Sequence, residues 1–184
     1  MQKFGLKDGS VKLIIGWLVV FVIRLVPFRP PNVEPVLATL MPFSKKYGLV
    51  GGFLFAFLSI FLFDLAVAQV GIWTLVTAVT YGCIGLASSI YFRGRETTAT
   101  EYLKFSVIGT LLYDAVTGPG MAYVFGHPVP FQEALIGQIP FTLWHLLGNG
   151  LLALTVSPML YRWVVANPTF EVPALLDRFA LSKR

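Results

Sequence analysis

The stretch R-L-V-P-F-R-P-P-N-V-E-P, Arg24 to Pro35, sets three charged side chains and four prolines between two apolar segments. The lengths on either side decide how it is read. A helix that begins near Leu13 at the inner membrane face carries Arg24 only about 16 Å into a hydrocarbon slab of about 30 Å. The descending segment, from Glu34 to the Lys45-Lys46 pair, also covers only about 16 Å as a helix. Neither segment clears the membrane. Proline removes amide donors and resists helix, so non-helical backbone is expected at membrane depth. Such backbone is tolerated there only where it packs within protein or lines a wet cavity. The stretch is therefore expected to form one wall of a binding site.

Composition supports a membrane setting. Hydrophobic residues make up 56% of the chain and charged residues 12%, with a mean hydropathy of +0.74. Soluble domains carry about 25% charged residues. The 184 residues suffice for one domain of about six spanning helices at around 20 apolar residues each. The net charge of +5 does not point to nucleic acid, because the basic residues fall at segment ends and form no contiguous face. The single Cys83 has no intrachain partner and reads as a small packing residue.

In chain order, Lys3, Lys7 and Lys12 precede an apolar run from Leu13 to Val26. No small-residue cleavage site follows it, so it reads as a retained first helix. A short second segment, Val36 to Phe43, leads to Lys45-Lys46 and a third from Tyr47 to Val70. In that third segment Gly48, Gly52 and Ala56 recur every fourth residue, which lets a neighbouring backbone approach closely, inside the bundle or between subunits. The fourth segment runs from Ile72 to Phe92, with Trp73 and Tyr91 placed as interfacial anchors. An aqueous loop, R-G-R-E-T-T-A-T-E, precedes a fifth segment from Tyr102 to about Val116, which T-G-P-G should stop. The sixth, Phe131 to Val165, is long and has Pro140 as a natural kink point. Residues 1–165 thus form one six-helix membrane domain. Residues 166–184 form a tail with Val172, Leu175, Leu176 and Phe179 at the spacing of an amphipathic interfacial helix. Every Lys and Arg except Arg24 and Arg29 falls on one side of this arrangement. The positive-inside rule then puts both termini in the cytoplasm of a multi-pass plasma-membrane protein.

Depths can be compared. At helical rise from the cytoplasmic ends, Arg24 lies at about 16 Å, Asp114 and Asn149 at about 18 Å, Asp64 at about 22 Å and His145 at about 24 Å. Asn32 and Glu34 join them through the proline-rich loop. Ionisable groups near the bilayer centre cost about 2.5 to 3.5 kcal/mol each on insertion scales and rarely persist without a partner or purpose. A polar layer supplied by five segments is how a pocket for a small polar molecule is built, with Trp73, Trp144 and Tyr113 available to stack on a ring. Plainer readings stand beside this one. Arg24 with Asp114 can be a structural ion pair, Asp64 a solvated helix end, and His145 with Asn149 partners for backbone freed at Pro140.

Several chemistries are absent from the sequence. No G-x-x-x-x-G-K-[ST] occurs, so the chain does not cradle ATP phosphates by itself. The H-L-L-G-N of His145 to Asn149 resembles the H-x-x-x-N of rhomboid proteases, yet no histidine follows His145 and no serine has the flanking glycines. His127 and His145 lack paired metal-ligand spacing. No enzymatic activity, cofactor or metal is expected.

Three motifs carry a family resemblance: P-N-V-E-P from Pro31 to Pro35, Y-D-A-V-T-G from Tyr113 to Gly118, and Q-I-P-F-T-L-W-H-L-L-G-N from Gln138 to Asn149. Together they resemble the substrate-binding S components of energy-coupling factor vitamin transporters. The resemblance implies six membrane helices and a vitamin or related micronutrient bound near the outer face. It also implies a partner module of one coupling membrane protein and two ATPases. Members of that family commonly carry A-x-x-x-A on the first helix for docking. Here no such pair lies between Lys12 and Pro27, and Gly16 with Val20 is the nearest spacing. Docking then falls to Gly16, or to Gly48, Gly52 and Ala56, or the protein acts alone. The competing reading is a structural membrane protein of the cell-wall elongation machinery, which would leave the polar layer packed shut.

Overall fold

The computed structural model describes residues 9–27, 33–125 and 130–174 and is helical throughout, with no strand among the described residues. Its α-helices are α1 (Ser10–Leu25), α2 (Pro35–Ala66), α3 (Ile72–Tyr91), α4 (Ala99–Ala115), α5 (Met121–Phe125) and α6 (Phe131–Leu160). A π-helical turn, Val116–Gly120, joins α4 to α5, and a second, Tyr161–Val165, extends α6. Among the described residues, three stretches are long and apolar enough to cross a membrane: Pro35–Ala66, Ile72–Tyr91 and Phe131–Val165. α1 and α4, with 16 and 17 residues, reach only about 24 to 26 Å at helical rise.

Local chemistry sets the boundaries. α1 stops where Val26 turns extended (φ −60°, ψ 116°), the conformation that a following proline, here Pro27, imposes. α2 opens on Pro35, whose missing amide donor costs nothing at a first helical position. α4 opens on Thr98, whose side chain accepts a hydrogen bond from the Glu101 amide. The stop expected at T-G-P-G does not occur: the chain runs on through the π-helical turn Val116–Gly120, with Pro119 inside it, into α5.

The second and third sequence segments are the two limbs of α2, which meet at non-helical backbone at Gly48. The break expected at Lys45-Lys46 falls at Gly48 (φ 71°, ψ −161°), and there the chain folds back, so that Phe43 meets Phe55 and both Glu34 and Asp64 reach Arg24. Lys45 donates to the carbonyls of Phe92 (2.7 Å) and Arg95 (2.6 Å), so its charge is met just past the end of α3. The limb before the bend is enclosed on every side, every residue from Pro35 to Ser44 being buried. A helix apolar all round belongs at the centre of a bundle, and this short limb is that centre. Phe43 stacks on Phe55 (4.2 Å between ring centroids), which stacks in turn on Trp17 of α1.

α2 and α3 form a tight helical hairpin. A β-carbon at Gly85 would stand 2.3 Å from the Gly52 carbonyl oxygen, and one at Gly52 would stand 2.7 Å from that of Gly85. The backbones touch, so only glycine fits. α6 packs on α4 and turns an apolar row outward, with Leu143, Leu147 and Leu151 each about 60% exposed or more.

Candidate functional site

Arg24, Glu34 and Asp64 converge from α1, the residue capping α2, and the far end of α2. Arg24 Nε lies 3.6 Å from Glu34 Oε1, and Arg24 Nη2 lies 3.8 Å from Asp64 Oδ1. The guanidinium also covers the Phe63 ring at 4.0 Å. These ion-pair distances exceed the 2.7 to 2.9 Å of a closed charge-assisted hydrogen bond. Arg24 Nε and Nη1 are buried and make no hydrogen bond. Asp64 is held from its other side, Oδ2 accepting from Thr74 Oγ1 at 2.7 Å.

These groups border a cavity of about 250 Å³ whose further walls include Trp73, Thr77, Tyr81 and Tyr113. Tyr81 is 1% exposed, and its hydroxyl has no hydrogen-bond partner. Its ring lies 4.4 Å from that of Tyr113. A buried polar atom left unsatisfied costs about 1 to 3 kcal/mol, so the Arg24 nitrogens and the Tyr81 hydroxyl together favour a polar occupant.

A second cluster lies behind Tyr113. Asp114 Oδ1 is 2.7 Å from His145 Nδ1, Asn149 Nδ2 donates to Thr110 Oγ1 at 2.9 Å, and Tyr113 meets the His145 ring edge-on at 5.6 Å. All four polar side chains are buried. Helical spacing explains the assembly: His145 and Asn149 lie one turn apart on α6, as Thr110 and Asp114 do on α4.

Among the site residues expected from sequence, the structure brings Arg24, Glu34, Asp64 and Trp73 to one cavity, and Asp114, His145 and Asn149 to the neighbouring cluster. Arg24 pairs with Glu34 and Asp64 rather than with Asp114. His145 and Asn149 meet side chains of α4 and not backbone freed at Pro140. Trp144 belongs to neither group. It is 59% exposed, because it sits about 100° round α6 from the inward-facing His145. Asn32, like Leu175, Leu176 and Phe179 of the tail, lies outside the described residues.

Three of the four expected docking residues are corrected as well. A β-carbon at Gly16 would collide with Phe43 and Phe55, Gly52 is closed against Gly85, and Ala56 is fully buried. All three serve packing within the chain and present no face to a partner. Gly48 alone is exposed, and its role is the bend in α2.

Sequence reading missed the polar stripe of α3. Thr74, Thr77 and Tyr81 recur at intervals of three and four residues and line the cavity. That spacing is a one-face signal that was available. It also missed Lys12, which is fully buried and bonded to Glu171 Oε1 (3.0 Å) and the Val165 carbonyl (3.1 Å). No family model matches the chain, and neither curated proteins nor solved structures yield a match.

Proposed function

We propose that this protein is a membrane-embedded substrate-binding subunit for uptake of a vitamin or related micronutrient, energised by partner ATPases through a coupling membrane protein. One observation carries the reading. A cavity of about 250 Å³ sits among apolar helices, ringed by charged groups from separate elements, with the Arg24 nitrogens and the Tyr81 hydroxyl unsatisfied beside it. A scaffold in the cell-wall machinery would have its polar layer closed by internal bonds. The half around Asp114, His145 and Asn149 is tied by two internal bonds with Asp114 Oδ2 and Asn149 Oδ1 left over, whereas the half around Arg24 has only long ion pairs and borders the cavity.

In this reading the chain crosses the membrane six times, the two limbs of α2 counting separately, with both termini in the cytoplasm. The twelve Lys and Arg outside the Arg24–Pro35 stretch support that orientation. Substrate enters from outside, displaces water from the cavity and is released inward when the partner ATPases reorient the bundle. Gly16, Gly52 and Ala56 are taken up inside the chain, so the coupling protein meets another face.

Native mass spectrometry of the protein released from mild detergent tests the reading. A small molecule should travel with the wild type and be lost from Arg24→Ala. Preparations that are consistently empty, with no stabilisation across a panel of vitamins, would favour the scaffold.

A further inference from the structure

The helices carry a second set of charged groups to their other ends. Lys45 lies near the close of the first limb of α2, Arg95 follows α3, and Arg162 sits in the π-helical turn beyond α6. All three border one cavity of about 470 Å³, together with Thr98 and Glu96. Small-molecule sites occupy roughly 300 to 1,000 Å³, so the space is large enough for a ligand.

Donors remain free at each position. Arg162 is exposed and makes no hydrogen bond or ion pair among the described residues. The Lys45 ammonium gives two of its three N–H groups to the carbonyls of Phe92 and Arg95, which leaves the third. Arg95 reaches Glu101 through Nη1 at 3.4 Å, and its side chain is 52% exposed. Thr98 accepts from the Glu101 amide, so its hydroxyl proton is left to donate. Guanidinium, ammonium and hydroxyl donors thus border one space from three elements. A phosphate accepts from several sides at once, whereas the two oxygens of a carboxylate lie in one plane. One acid, the exposed Glu96, lines the same cavity and opposes such an anion.

We infer that this cavity binds a phosphate group at the membrane surface, with Arg162 as its principal contact. Trp163, next in sequence and 62% exposed, is of a residue type that anchors at headgroup level, which makes the headgroup of an anionic phospholipid the nearest source. In the orientation proposed above, this end meets the cytoplasmic leaflet, whose anionic lipids attract basic residues. The donor set is independent of the uptake reading, because a transporter subunit and a scaffold would carry it alike.

Native mass spectrometry of the purified full chain in mild detergent tests the site, with phosphatidylglycerol, phosphatidylcholine and soluble glycerol 3-phosphate as probes. Phosphatidylglycerol should bind saturably and more tightly than zwitterionic phosphatidylcholine. Arg162→Gln should weaken it about fivefold, the worth of one basic residue at an anionic surface. Folding should be unaffected, since Arg162 makes no bond within the described chain. Glu96→Gln should act in the opposite direction and strengthen binding. Arg93→Gln is the control, because Arg93 is an exposed charge at the same end that borders a separate, smaller pocket. Equal losses in Arg93→Gln and Arg162→Gln would show diffuse attraction and overturn the site. Indifference to lipid charge together with no binding of glycerol 3-phosphate would overturn it too. Glycerol 3-phosphate binding that Arg162→Gln weakens, without lipid preference, would support the phosphate site and make its source soluble. An empty Arg24 cavity would count against the uptake reading and leave this site standing.

Discussion

Asp114 on α4 and His145 on α6 are bonded at 2.7 Å, and both side chains are almost completely buried. With Asp114 as a carboxylate its oxygen can only accept, and Nδ1 is then the nitrogen that donates. The pair thereby ties two helices together at the same level at which Asn149 and Thr110 are bonded one turn away.

Removing one partner should therefore cost more than the bond is worth. Asp114→Ala is expected to lower stability by about 1 to 3 kcal/mol, because His145 keeps a buried donor with nothing to receive it. Asp114→Asn retains an acceptor and should lose less. Unfolding of the two variants in detergent orders them. A double-mutant cycle with His145→Ala should return a coupling of about 0.5 to 3 kcal/mol, and additive losses would show that the bond contributes nothing.

The contact between α2 and α3 makes a sharper prediction. Gly85→Ala places a methyl 2.3 Å from the Gly52 carbonyl oxygen, and backbone cannot rotate aside as a side chain can. The helices must separate, at about 1 to 3 kcal/mol for overpacking. Gly137→Ala on α6 is the matched control, since a β-carbon there meets nothing within 4 Å. It should gain about 0.4 to 1 kcal/mol by restricting the unfolded chain. Equal melting temperatures for the two variants would contradict the close approach.

Gly48 isolates a backbone effect. A β-carbon there also meets open space, so any loss in Gly48→Ala comes from φ 71° with ψ −161°, a combination that only glycine adopts readily. The expected cost is about 1 to 3 kcal/mol. The bend it relieves would swing the buried limb 35–44, so the loss in melting temperature should come with weaker binding at the cavity that Glu34 borders.

Much of this was legible in the chain. Proline punctuation located the end of α1, and the last long segment, Phe131 to Val165, has the predicted bounds, whereas T-G-P-G is carried inside a π turn and does not stop its helix. Depth along a helix was also readable, which is why the charged residues were expected at one level. Direction around the helix was not. Depth alone put Arg24 closer to Asp114 than to Asp64, yet the azimuth of each side chain pairs Arg24 with Asp64 and turns Trp144 outward. The Lys45-Lys46 pair marked the turn between the two limbs of α2 to within two residues, the break falling at Gly48.

Glu101 predicts a pH dependence outside the apolar segments. Hydrogen bonds from Lys104 (2.6 Å) and from the Tyr91 hydroxyl (2.9 Å) hold its carboxyl below the ordinary carboxylate value. A group whose folded value is depressed adds stability above its unfolded value and loses that contribution as the pH falls through the folded one. The difference in melting temperature between wild type and Glu101→Gln should therefore be present at neutral pH, and shrink below the usual carboxylate range. A difference that is constant across that range would remove the titration of Glu101 as its cause.

Lys12 and Glu171 are asymmetric partners, and the asymmetry can be measured. Lys12 is fully buried at the start of α1, whereas the Glu171 side chain, beyond the end of α6, is 23% exposed. Lys12→Met leaves a carboxylate that water can still reach and replaces the alkyl stem with one of similar shape. Glu171→Ala leaves a buried ammonium with only the Val165 carbonyl to receive it. Breaking a buried pair by removing one partner costs about 3 to 5 kcal/mol. Glu171→Ala should approach that range and Lys12→Met fall well below it, although the lysine is the more buried residue. Chemical denaturation of both variants would read the order, and a larger loss in Lys12→Met would mean that packing of the stem, rather than the stranded charge, dominates.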